Sequence, residues 1–133
     1  MIKYLSIDES IEVHNSLVAT YGGLQGIREH NLLESALAMP MTAMFNKDMY
    51  PSIFDKAACY LFFIATNHPF VDGNKRTATS CCLLFLQFND IKLSYKEDEL
   101  IEFVVDIAQG KIDKVEISKY LRSICLDPEK KLQ

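Results

Sequence analysis

The stretch IFDKAACYLFFIATNHPFVDGNKRTATSCCLLFLQF, residues 53–88, decides how this chain folds. In its first part Phe54, Ala57, Ala58, Leu61 and Ala65 fall on one helical stripe. Tyr60, Phe62, Phe63 and Ile64 make most of the remaining circumference apolar as well. A helix that is apolar nearly all round belongs in the middle of a domain. Ser52 is placed to cap it, and Pro69 disfavours the α conformation at His68. These signals predict a helix from Ile53 to about Asn67. From about Asn74 the helical pattern resumes, with Ala78, Cys81, Cys82 and Phe85 on an inner face. Leu83, Leu84 and Leu86 widen that face, and Asn89-Asp90 ends it. Two central helices are therefore joined by a short polar turn. Between His68 and Arg76 that turn gathers an imidazole, a carboxylate, a glycine, an amide and two adjacent cations. A purely structural connection rarely needs such a mixture.

Upstream, Ser6-Ile7-Asp8-Glu9 reads as a capping box, and Ile7, Ile11, His14, Val18 and Tyr21 continue at helical spacing until Gly22-Gly23. His14 lies on that apolar stripe and reads as a core or interface histidine. Gly26 to His30 is a polar connection, with His30 a solvated loop residue, and Asn31 is placed to cap a short helix from Leu32 to Ala38. Pro40 stops it. From Met41 to Tyr50 no period persists, and Asn46-Lys47-Asp48 resembles a turn. A small hairpin or flap before the third helix and a plain surface loop both fit.

Downstream, Leu100, Phe103, Val104 and Ile107 mark a fifth helix, and Ile117, Tyr120, Leu121 and Ile124 a sixth, separated by Gly110. A weak strand signal covers Ile91-Lys92-Leu93. The prediction is an all-α fold, a single compact bundle of about six helices over residues 1–126, with a frayed tail over 127–133.

The chain of 133 residues is 49% apolar and 24% charged, the size and composition of one globular domain. Its net charge of −4, with Lys75-Arg76 and Lys130-Lys131 the only adjacent basic pairs, gives no electrostatic case for nucleic acid. Cys59, Cys81, Cys82 and Cys125 show neither C-x-x-C nor zinc spacing and read as buried reduced thiols. The N-terminus lacks the apolar run of a signal peptide, and the apolar run Ala57 to Ala65 is too short to span a bilayer. A cytoplasmic protein with no membrane partner is expected.

The polar turn suits an anion. A helix start exposes N–H groups without intrahelical partners at the positive end of the dipole. Gly73, Asn74, Lys75 and Arg76 occupy that place, and Gly73 lets an oxyanion approach closely. Arg76 offers a guanidinium that can grip phosphate oxygens in pairs. Asp72 is a hard anionic ligand suited to Mg²⁺ shared with phosphate. An imidazole can take a proton from an attacking hydroxyl, which makes His68 the candidate base. Phe70 would pack inward and fix the loop. Blander roles exist for each residue: Asp72 or Asn74 could be the helix N-cap, and Lys75 and Arg76 solvated first-turn residues. Cations there oppose the dipole, however, which favours an anionic ligand.

His68 to Arg76 resembles the signature of the Fic/Doc family, His-x-Phe-x-(Asp/Glu)-(Gly/Ala)-Asn-(Gly/Lys)-Arg. The likeness extends to Tyr21-Gly22-Gly23-Leu24-x-Gly26 and Leu33-Glu34-Ser35-Ala36-Leu37-Ala38-Met39-Pro40, closest to the death-on-curing (Doc) branch. The resemblance implies the all-α Fic/Doc fold and transfer of part of ATP to a target hydroxyl. It assigns His68 as base, Asp72 as Mg²⁺ ligand, Gly73 and Asn74 as anion cradle, and Arg76 as phosphate holder. Lys75 stands where AMP-transferring members carry glycine, and Thr79 where they carry a second arginine. That combination implies the Doc reaction, γ-phosphoryl transfer to a threonine of elongation factor Tu, which arrests translation. AMP transfer is the alternative. Ser80 replaces an asparagine of Doc toxins and would tune the support of the loop. No glutamate is followed by Gly or Asn, so the family's inhibitory motif is missing and a small antitoxin acting in trans is implied. Two rival classes are a non-catalytic phosphate-binding module and a metal phosphohydrolase. The second lacks its ligand set, because His14 and His30 share no metal spacing with His68.

Overall fold

A computed structural model of the chain describes residues 1–127 and 129–130. Its helices are α1 (Ile7–Tyr21), α2 (His30–Ala38), α3 (Ile53–Asn67), α4 (Asn74–Phe88), α5 (Glu97–Ala108) and α6 (Lys114–Ser123). Between α2 and α3 lie a 3₁₀ turn, Met39–Met41, and an antiparallel hairpin of β1 (Ala43–Met44) and β2 (Lys47–Asp48). The chain is an all-α bundle with a small flap ahead of α3.

The bundle is built around α3, which packs against α2, α4, α5, α6 and the 3₁₀ turn, while α1 lies on α4. The apolar circumference of α3 explains this position: Phe54, Ala57, Ala58, Ile64 and Ala65 are fully buried, and Leu61 nearly so. The inner face of α4 meets it with Ala78, Cys81, Cys82 and Phe85, all buried. The Tyr60 ring packs on Phe85, 4.9 Å between centroids, and its hydroxyl oxygen accepts the Leu5 N–H at 3.1 Å. Burial of an aromatic such as Phe54 or Phe85 is worth roughly 2–3 kcal/mol. An exposed contact such as His30–Glu34 on α2 (2.9 Å) adds little beside that. The core sets the fold.

Helix starts follow the sequence closely where a capping box exists. Ser6 with Glu9, Ser52 with Asp55, and Asp113 with Glu116 each close both of their reciprocal bonds. The start of α2 differs from expectation. Asn31 does not cap it, and His30 is its first helical residue rather than a loop residue. The cap is Glu29, whose carbonyl accepts the N–H of Leu32 and of Leu33. Both Arg28 and Glu29 donate their own N–H to Pro69 O, so contact with the polar turn determines where α2 begins. The weak strand signal at Ile91-Lys92-Leu93 is realised only as a single bridge between Leu93 and Cys125. In the tail, Lys130 N–H returns to Asp127 O at 3.1 Å. The fraying expected over 127–133 falls, for residue 128 and residues 131–133, outside the described residues.

Candidate active site

The turn between α3 and α4 is held in two unusual backbone conformations. His68 ends α3 in the left-handed region (φ 51°, ψ 58°), and Gly73 precedes α4 there too (φ 74°, ψ 21°). The N-cap of α4 is therefore Gly73, and neither Asp72 nor Asn74. Glycine adopts this conformation without the steric cost a Cβ brings. Because Gly73 has no side chain to cap with, the first-turn N–H groups of Asn74, Lys75 and Arg76 stay open toward an incoming anion. The first helical bond is Thr77 N–H to Gly73 O.

Asn74 holds the turn together. Its amide oxygen accepts the Phe70 N–H at 2.9 Å and its amide nitrogen donates to Phe70 O at 3.0 Å. The Asn74 side chain is thus committed to the loop, leaving its backbone N–H for the cradle. Phe70 is buried, as expected, and its ring stacks face to face on His14, 4.0 Å between centroids. His14 Nε2 lies 2.7 Å from Asp72 O, a carbonyl, so that nitrogen carries the proton and donates. The core histidine of α1 is therefore also a wall of the site.

Asp72 is exposed, yet its carboxylate is positioned. One oxygen accepts Leu24 N–H at 3.1 Å and the other Gly73 N–H at 2.9 Å. These two backbone donors hold its carboxyl below the usual carboxylate range. Leu24 can come this close because Gly23 precedes it: a Cβ at Gly23 (φ 112°) would sit 2.7 Å from Asp72 Oδ2. The Tyr21-Gly22-Gly23-Leu24 segment and the turn are thus one structure. An ionised, accessible carboxylate with lone pairs remaining, beside an open helix N-terminus, fits Mg²⁺ carried in by phosphate oxygens.

His68 is exposed at the mouth of the site. Lys75 and Arg76 are exposed on the first turn of α4, and the Arg76 guanidinium rests over the Tyr21 ring at 4.4 Å. Thr79 Oγ1 donates to Lys75 O at 2.9 Å. Ser80, half-buried further along α4, lines a groove of about 480 Å³ with Glu9, Glu12, Val13 and Ser16 of α1.

The structure adds residues that the sequence reading left out: His14 as a loop contact, the Leu24 N–H, Tyr21 beneath Arg76, and Arg28. Arg28 donates from Nε to His68 O and from Nη2 to Asn67 O, each at 2.8 Å. A hint was present in the spacing of Gly22, Gly23 and Gly26, which marks a loop needing close backbone approach. Nothing in the sequence pairs residue 14 with residue 72.

The profile of the Fic/DOC family matches residues 4–86, a span that covers α1 to α3, all but the last two residues of α4, and the whole of this site. The chain belongs to the Fic/DOC family. It is 38% identical over 95 residues to "Toxin Doc" of Mycolicibacterium smegmatis, covering 71% of this chain and 68% of that protein. It is 29% identical over 123 residues to "Protein kinase doc" of Escherichia phage P1, covering 92% of this chain and 96% of that one. Within this Fic/DOC chain, the segments from His68 to Arg76 and from Tyr21 to Leu24 meet in space exactly where the bonds to Asp72 are made.

Proposed function

We propose that this Fic/DOC protein is a Doc-type toxin that transfers the γ-phosphate of ATP to a hydroxyl of a target protein. The resemblance names a threonine of elongation factor Tu as the acceptor, with arrest of translation as the outcome. The observation that carries the reading is the geometry of the turn. An exposed imidazole at one end faces the same solvent as an open helix N-terminus, an ionised carboxylate and two cations at the other. Phosphoryl transfer asks chiefly for positioning and charge neutralisation, and these groups offer both.

In this mechanism the N–H groups of Asn74, Lys75 and Arg76 hold the phosphates, with the Arg76 guanidinium beside them. Asp72 is the residue placed to hold Mg²⁺, which when bound offsets phosphate charge. A target hydroxyl oxygen attacks the γ-phosphorus while the bond from that phosphorus to the β–γ bridging oxygen breaks. The hydroxyl proton passes to the His68 imidazole, and ADP leaves. Thr79 favours the γ-phosphate as the group that moves. Its hydroxyl turns back onto Lys75 O, and no second arginine stands there to grip a phosphate of the kind AMP-transferring relatives bind.

Labelling separates the readings. With ATP radiolabelled in the γ-phosphate, wild-type protein should mark elongation factor Tu and His68→Ala should lose at least about a hundredfold in rate. Equal labelling by both removes His68 from the chemistry. Label arriving from the α-phosphate would replace phosphorylation by AMP transfer, and nucleotide binding without any transfer would leave a binding module. A toxin of this kind slows growth when expressed alone and is neutralised by an antitoxin acting in trans. It works in the cytoplasm, in keeping with four free cysteines and with no helix, among the described residues, long and apolar enough to cross a membrane.

A further inference from the structure

We infer that Arg28 is a positioning residue that sets the backbone conformation of His68, and that it acts on catalysis separately from nucleotide binding. The inference rests on the reading of His68 as the base. The φ and ψ angles of a residue describe how the peptide plane before it is rotated against the plane after it. The peptide before His68 carries Asn67 O, and the peptide after it carries His68 O. A single guanidinium bonds both: Nη2 to Asn67 O and Nε to His68 O, each at 2.8 Å. Because that guanidinium is planar and rigid, the two carbonyls are held at a fixed mutual angle. The angle it holds is the left-handed one, φ 51° and ψ 58°, uncommon for any residue with a side chain.

Other bonds steady the surroundings without doing this task. Pro69 O accepts the backbone N–H of Arg28 and of Glu29, and Ile27 pairs with Phe70 in an antiparallel bridge. These fix the chain after His68 and would survive a change of the Arg28 side chain. The two carbonyls at the end of α3 lack onward helical partners, so a cation there is favourable in any case. A merely structural cap would affect stability alone. A clamp on φ and ψ also directs the imidazole. The phosphate-holding half, Gly73 to Arg76, is secured by Asn74 on Phe70 and by Leu24 and His14 on Asp72, and among the described residues the Arg28 side chain bonds only Asn67 O and His68 O.

The test measures kcat and the KM for ATP separately, with elongation factor Tu as acceptor, in wild type, Arg28→Ala and Arg28→Lys, alongside Tm. Misplacement of a reacting group by about 1 Å can cost up to a hundredfold in rate. Arg28→Ala should therefore lower kcat by about ten- to a hundredfold while KM for ATP stays within about twofold. Arg28→Lys keeps the charge at the helix end but lacks the rigid planar fork that fixes the angle between the two carbonyls, so its kcat should fall as well, by less. Where the alanine variant does not fold, the lysine variant carries the test. Unchanged kcat, or a rise in KM that accounts for the whole loss, overturns the inference. The ¹³Cα and ¹³Cβ chemical shifts of His68 provide a reading independent of activity, and they should leave left-handed values in the variants. If wild type transfers nothing to the acceptor, the proposed reaction fails while these shifts still decide the clamp. Shifts that do not move overturn the clamp even if the reaction stands.

Discussion

Asn74 shows how a residue can be placed correctly and still be given an incomplete role. Read from the sequence it was an anion donor or a helix cap. In the structure its side chain bonds both backbone groups of Phe70 and pins the turn, and only its N–H faces outward. Asn74→Ala leaves those two groups without partners, and Phe70 is buried, so stability to urea should fall by about 1–2 kcal/mol. A midpoint shift much smaller than that would mean solvent reaches both groups. The candidate base, the carboxylate, the glycine and the cations were legible because the chemistry they share occupies one short run. His14 was legible as a buried residue and illegible as a wall of the site. Its partners Phe70 and Asp72 lie far along the chain, and no local pattern records a contact of that kind.

Elements were legible in proportion to how much apolar surface they bury. The stripes of α3 and α4 determine both helices, and the capping box of Ser52 with Asp55 sets the start of α3 to the residue. The start of α2 was misplaced because bonds from Pro69, a tertiary partner, override the local preference of Asn31. The flap was visible as a loss of period with a turn signal at Asn46-Lys47-Asp48, which a plain loop fitted as well. Its turn runs through Phe45 (φ 52°) and Asn46 (φ 64°), and phenylalanine gives no sign that it will take a left-handed conformation. The flap is anchored by Lys56, a buried cation in the first turn of α3, whose ammonium donates to Pro40 O at 3.2 Å and Asp48 Oδ2 at 3.3 Å. Asp48→Ala strands that ammonium on one carbonyl. Since the Asp48 side chain is 53% exposed, solvent tempers the loss, and about 1–2 kcal/mol of destabilisation is expected by urea unfolding. Lys56→Met removes the buried charge altogether and should lie within about 1 kcal/mol of wild type. Amide exchange from Ala43 to Asp48 should nonetheless speed up in both variants. A Lys56→Met protein with an unchanged flap would show that the hairpin holds itself.

On the scale of the whole molecule, α3 and α4 are at once the core and the support of the site, so the turn can shift little unless the centre opens. The cysteines allow this to be measured. Cys59 lies on α3, toward Tyr50 and Lys114, and Cys81 and Cys82 lie on the inner face of α4; all three are buried. Burial pushes the thiols of Cys59 and Cys81 up to about 12, and that of Cys82 higher still. The thiolate is the reactive form, so at pH 8 these side chains are both shielded and protonated. Alkylation of the folded protein at that pH must then await opening of the bundle. A domain stable by about 5 kcal/mol or more exposes its centre so seldom that labelling should run at least a thousandfold slower than in urea. Addition of ATP and Mg²⁺ should slow it further, because a ligand that binds only the folded site lowers the open population. Fast labelling of Cys81 or Cys82 without urea would show that the α3–α4 pair opens on its own. The turn would then be mobile where the phosphoryl-transfer reading needs it fixed.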